Sequence, residues 1–167
     1  GQDGYPEDNY KKPSIIQKVI DEFEDVKIVY PIHKNPLVRQ VANEIFKDDD
    51  KIKLIEPLDV VDFHNMMNKA YMILTDSGGV QEEAPSLGKP VLVLRNTTER
   101  PEGVEAGTVK LVGTSKMKIV DEVSSLLENH QLYMAMSQAQ NPYGDGYTSV
   151  RISEIIKRLF SSKLSWM

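Results

Sequence analysis

Ser77-Gly78-Gly79 lies between the apolar run Tyr71-Met72-Ile73-Leu74 and a helix expected over residues 81–87, and its residue types and spacing suit the binding of an anion. Where a strand hands over to a helix, several backbone N–H groups lack intrahelical partners and the helix dipole adds partial positive charge. Glycine has no Cβ, so the backbone can approach a ligand closely and tolerates positive φ. The Ser77 hydroxyl adds a further donor. A phosphate or diphosphate is the ligand class this turn fits. Glycine also serves plain strand-to-helix turns, so the motif alone leaves both readings open.

The elements that must position this turn alternate. Val19 and Phe23, together with Ile15, Ile16 and Ile20, follow helical spacing after Pro13-Ser14, and residues 26–32 suit a strand. Asn35-Pro36 opens a helix carrying Val38, Val41, Ala42, Ile45 and Phe46, which ends at Asp48-Asp49-Asp50. A strand at Ile52, Leu54 and Ile55 precedes a helix over 58–70 with Asp59 as its cap, then a strand over 71–75. Gly88-Lys89-Pro90 stops the next helix, strands follow at 91–94 and 109–112, and helices close the chain at 116–128, 132–137 and 149–160. Strands apolar on both faces and alternating with helices predict a doubly wound parallel α/β sheet, Rossmann-like. Residues 13–160 form that domain, residues 1–12 read as a loose arm, and residues 161–167 as a frayed tail.

In open parallel sheets, ligands bind at the carboxyl ends of the strands. His33-Lys34, Glu56-Pro57-Leu58, Asp76-Ser77-Gly78-Gly79 and the loop over 95–103 each follow a successive strand, so four separate segments point to one edge. Asp76 could cap the turn or orient Ser77. Arg95 and Arg100 border the same edge, with Glu99, Glu102 and Glu105 as alternative partners, and Arg100 is the preferred ligand cation. Glu82 reads as a solvated first-turn charge. His64 and His130 read as structural or exposed, and Met66, Met67 and Met72 as core filling.

Composition narrows the function classes. A net charge of −5 disfavours nonspecific nucleic-acid binding, which needs clustered cations. A small phosphate is still compatible, because a local field decides that case. There are no cysteines for disulfide or thiolate chemistry, and the three histidines are too scattered for a metal site. No apolar run approaches the roughly 20 residues of a membrane span and no signal-peptide pattern opens the sequence. A soluble, cytoplasmic protein without metal or cofactor is expected.

The segment TDSGGVQEEAPSLGKPVLVLRNTTERPEGVEAGTVKLVG, residues 75–113, resembles the non-hydrolysing UDP-N-acetylglucosamine 2-epimerases. Tyr30-Pro31-Ile32-His33-Lys34-Asn35-Pro36, Glu56-Pro57-Leu58 and Asn141-Pro142-Tyr143-Gly144-Asp145-Gly146 extend the likeness in the same order, over about residues 26–160. The resemblance implies the carboxyl-terminal domain of the two-domain GT-B fold, with UDP and UDP-N-acetylglucosamine as partners. It implies diphosphate binding by Ser77, Gly78 and Gly79, ribose binding by Glu83, a uracil neighbour at the backbone of Phe63, and a cation from Arg100. It also implies a role for His33 at an allosteric UDP-sugar site.

The family reaction inverts C2 of the sugar by eliminating UDP and adding it back to the opposite face. Its proton-handling carboxylates belong to the amino-terminal half, which makes that half a further partner and leaves no catalytic residue expected in this chain. The family's His-Arg-Arg-Glu run is not matched near Gly1-Gln2-Asp3-Gly4. The chain by itself is therefore expected to bind weakly and not to epimerise, and the full-length enzyme to be a homodimer. Three alternatives remain at this point: a noncatalytic UDP-sugar sensor, the donor domain of a GT-B glycosyltransferase, and an α/β interaction domain with no ligand.

Overall fold

The structure, a computed structural model, describes residues 19, 21–46 and 49–164. The expected arm over residues 1–12, most of the first helix and residues 165–167 lie outside the described residues.

Strands and helices alternate as β1 (Ile28–Pro31), α1 (Pro36–Phe46), β2 (Ile52–Ile55), α2 (Val60–Lys69), β3 (Ile73–Thr75) and α3 (Gly78–Glu83). A 3-10 turn (Ala84–Leu87), β4 (Val91–Val93), α4 (Pro101–Glu105), β5 (Val109–Leu111), α5 (Lys116–Glu128), α6 (His130–Ser137) and α7 (Thr148–Leu164) complete the chain. Among the described residues all strand pairings are parallel. β1 bonds to β2, with Ile28 opposite Ile52, and β3, β4 and β5 form a second bonded group in that order. The fold is therefore α/β with parallel sheets, hydrogen-bonded as two groups. Burial, and after it the Asp76 carboxylate just past β3, push the Tyr30 phenol in β1 above its ordinary value. Tyr30 in β1 and Asp76 after β3 are thus near enough to interact.

The pleat of β4 explains why helices cover both faces. Val91 and Val93 point into one core with Met67 of α2, Ala84 and Val109. Leu92 and Leu94 point into the other, with Ile119, Val120, Val123 and Leu126 of α5. Alternate residues of a strand face opposite sides, so a strand apolar at every position demands cover on both. Fully burying one such side chain contributes about 1.5–3 kcal/mol. A third cluster seats Ala42 and Phe46 of α1 on Ile32 and Ile52.

The local signals act as their chemistry requires. Asp59 caps α2 by accepting from the Asp62 N–H at 2.9 Å. Gly88 takes the left-handed conformation, φ 64°, that ends the turn before β4. Several boundaries shift by one or two residues from the sequence reading, and three departures are larger. The helix after β3 begins at Gly78 rather than at residue 81, a short helix forms at Pro101–Glu105, and α7 runs on past Phe160 to Leu164.

Candidate functional site

β3 delivers the chain to Thr75, whose Oγ1 accepts from the Ser77 N–H at 3.0 Å. Ser77 is extended, φ −82° and ψ 131°, and its hydroxyl makes no capping bond to α3. The N–H groups of Gly78 and Gly79 fall in the first turn, where helix geometry provides no partner. Neither glycine has positive φ, so backbone freedom is not what this position requires. Space is. A Cβ on Gly78 would stand 2.7 Å from Glu99 Oε1 and 3.7 Å from Arg100 Nη2. A Cβ on Gly79 would stand 3.7 Å from Glu83 Oε1 and 3.9 Å from Ser77 Oγ.

Charged side chains flank the turn on two sides. On one, Glu83 of α3 accepts from His64 of α2, with Nε2 to Oε2 at 2.9 Å, and the two side chains are 48% and 43% exposed. On the other, the Arg100 Nε donates to Glu82, and Arg100 Nη1 lies 3.8 Å from Glu99 Oε1. Arg95 donates to both Glu99 oxygens at 2.9 and 3.1 Å. The Arg100 guanidinium is held above its ordinary value chiefly by the hydrogen bond to Glu82. Glu99 is held below the usual carboxylate range by its own backbone first and then by Arg95. One expectation is corrected here: Glu82 is an ion-pair partner of Arg100 rather than a solvated charge. His64 is partly exposed, and it is tied to the carboxylate expected to meet the ribose.

A polar relay locks the turn to the loop that carries Arg100. Gln81 is fully buried, and its Nε2 donates to the Ser77 carbonyl at 3.2 Å. Its Oε1 accepts from the Thr98 hydroxyl at 2.6 Å, and the Thr98 oxygen accepts in turn from the Arg100 N–H at 3.0 Å. Tyr143, from the loop before α7, braces the same segment by accepting from the Gly103 N–H at 3.1 Å. A Cβ on Gly103 would come within 2.7 Å of that hydroxyl, so the close approach requires glycine.

Comparison with known proteins decides the family. The chain matches the model of the UDP-N-acetylglucosamine 2-epimerase family over residues 6–157.

The chain belongs to the UDP-N-acetylglucosamine 2-epimerase family.

It is 60% identical over 151 residues to the UDP-N-acetylglucosamine 2-epimerase of Bacillus subtilis, covering 90% of this chain and 39% of that protein. Among solved structures it is similar to the S. aureus MnaA–UDP co-structure, with TM-score 0.85, 54% identity, and 96% of this chain against 43% of that one. It is also similar to the Neisseria meningitidis UDP-GlcNAc 2-epimerase bound to UDP-GlcNAc, with TM-score 0.85, 42% identity, and 92% against 42% covered. The chain thus spans well under half the length of these relatives and corresponds to their carboxyl-terminal part.

Within this epimerase-family domain the expected site residues divide. Ser77, Gly78, Gly79, Glu83 and Arg100 gather around the first turn of α3. Phe63 adjoins His64 on α2. Its side chain packs against the Met67 and Ala84 core, and its N–H donates to the Asp59 carbonyl at 2.9 Å. His33 makes its bond inside its own loop, its Nδ1 accepting from the Asn35 N–H at 3.1 Å. Among the described residues no cluster of three or more His, Asp or Glu could hold a metal ion.

Sequence reasoning missed His64, Gln81, Glu82, Thr98 and Tyr143. A polar Gln81 at a position the fold buries is the one such signal the sequence carried, visible once α3 is placed from Gly78. The pairing of His64 with Glu83 joins two helices and leaves no local trace.

Proposed function

We propose that this chain is the UDP-binding half of an enzyme that interconverts UDP-N-acetylglucosamine and UDP-N-acetylmannosamine by elimination and re-addition of UDP. The observation that carries the reading is the gathering of Gly78 and Gly79 N–H groups, the Ser77 hydroxyl, the Arg100 guanidinium and the Glu83 carboxylate around one helix start. The N–H groups and Arg100 meet the diphosphate, Glu83 accepts from the ribose hydroxyls, and the uracil lies toward the start of α2 near Phe63. The ligands named for the S. aureus and Neisseria structures support the same assignment.

Elimination breaks the bond between C1 of the sugar and the diphosphate oxygen and removes the proton at C2. Negative charge builds on the diphosphate as that bond breaks. Donors fixed in advance at the oxygen that receives the charge lower the barrier and retain UDP for its return. Arg100 and the two glycine N–H groups are such donors, and the Gln81–Thr98 relay keeps them in register. The carboxylates that move protons belong to the amino-terminal half, so this chain by itself binds UDP weakly and does not epimerise. His33 serves an allosteric UDP-sugar site, and the full-length protein is a cytoplasmic homodimer supplying N-acetylmannosamine for cell-surface polysaccharide.

Equilibrium binding of UDP and UMP to the chain, with a turnover assay on UDP-N-acetylglucosamine, tests the reading. UDP should bind more tightly than UMP, Arg100→Ala should remove most of that difference, and no turnover should be seen. Equal affinity for the two nucleotides, or epimerisation by the chain alone, would overturn it.

A further inference from the structure

Glu83 holds its two carboxylate oxygens in different surroundings. Oε1 faces the Gly79 side of the helix start, 3.7 Å from where a Cβ on that glycine would lie, and Oε2 is bound by His64 Nε2 at 2.9 Å. A carboxylate oxygen can only accept, so His64 Nε2 carries the proton in this pair. His64 comes from α2 and Glu83 from α3, two helices that pack through Met67, Phe63, Ala84 and Val80 in one core. The imidazole is therefore carried on a fixed support. A free glutamate on a helix surface samples several rotamers, and ordering such a side chain at binding costs affinity. A second group that holds one oxygen in advance removes part of that cost.

We infer that His64 is a positioning residue for the nucleotide: it fixes Glu83 Oε2 so that Oε1 is presented to the ribose hydroxyls. The inference rests on the proposed UDP reading of Glu83. His64 acts through Glu83, and the chemical class it serves is a nucleotide with ribose hydroxyls free to donate. The same arrangement confers selectivity for ribonucleotides over deoxyribonucleotides.

The test measures dissociation constants of UDP and 2′,3′-dideoxy-UDP for the 167-residue chain. The proteins compared are wild type, His64→Ala, His64→Gln, Glu83→Gln and the double variant His64→Ala/Glu83→Gln. The cost of ordering a freed Glu83 side chain at binding predicts that His64→Ala weakens UDP by about threefold to tenfold. His64→Gln, whose amide nitrogen can donate from nearly the same place, should restore most of the loss. The double variant should bind UDP no more weakly than Glu83→Gln, and dideoxy-UDP should not distinguish His64→Ala from wild type. Melting temperatures of all five proteins separate these effects from loss of fold, which the exposed position of His64 makes small.

Additive losses in the double variant, or equal weakening of both nucleotides by His64→Ala, would overturn the positioning role. If Glu83→Gln weakens UDP and His64→Ala does not, the role of His64 falls while the UDP reading stands. If Glu83→Gln itself leaves UDP affinity unchanged, the assignment of Glu83 falls and this inference falls with it.

Discussion

Gly78 separates stability from binding at a single residue. Its backbone is helical rather than left-handed, so alanine is compatible with its conformation and is the better helix former by about 1 kcal/mol. The added methyl would nevertheless stand 2.7 Å from Glu99 Oε1 and fill the space over the helix start. The Glu99 side chain is flexible and can give way, but a diphosphate cannot share that volume. Gly78→Ala is therefore expected to change the melting temperature little and to weaken UDP by more than tenfold, as read by thermal denaturation and a binding titration on the same protein. The turn itself was legible in the sequence as a strand-to-helix junction, since Ser77-Gly78-Gly79 closely follows an apolar run. The partners of its carboxylate and guanidinium were not. His64 is 19 residues from Glu83 and Glu82 is 18 from Arg100, and each pair meets only because parallel strands align their following loops.

At the scale of elements, the site depends on α3 and the loop after β4 keeping one relation. Gln81 supplies it by bonding the Ser77 carbonyl and the Thr98 hydroxyl from a fully buried position. Gln81→Leu would leave those two groups without their partner, at a cost of about 1–3 kcal/mol. A lower denaturation midpoint is expected, together with weaker UDP binding as Arg100 loses its register. Retention of full UDP affinity at reduced stability would show that the relay supports the fold alone. The alternating order of strands and helices was legible because β-branched runs and helical spacing are local signals. Helix Pro101–Glu105 was not, since five residues are too few to display a period. The early start of α3 was missed for a related reason: two glycines are poor helix formers and hide its first turn from a propensity reading.

Across the whole molecule, the first turn of α7 is tied down by charge, while apolar side chains farther along it are exposed. Asp145 accepts from Arg151 at 2.5 and 2.8 Å and from the Tyr147 N–H, with the Arg151 bond chief in lowering its carboxyl to about 2. A depressed folded value means that the tie contributes fully above the ordinary 3.8 and is lost as pH falls through about 2. A carboxyl titration by NMR should place the Asp145 midpoint near 2, and Arg151→Ala should return it toward 3.8. Along α7, Val150, Ile152, Ile155, Ile156, Leu159 and Phe160 are each about half exposed or more. An exposed apolar row of this length is a candidate surface for self-association. Sedimentation should show concentration-dependent self-association of the chain, reduced by Ile155→Glu and Phe160→Glu with no change in UDP affinity.

The location of the nucleotide tests the central claim most directly, and a crystal structure of the chain with UDP would supply it. The account predicts diphosphate oxygens within hydrogen-bond distance of the Gly78 and Gly79 N–H groups and the Arg100 guanidinium, with a ribose hydroxyl on Glu83 Oε1. Nucleotide density elsewhere on the domain, or a diphosphate bound with none of these groups in contact, would contradict it.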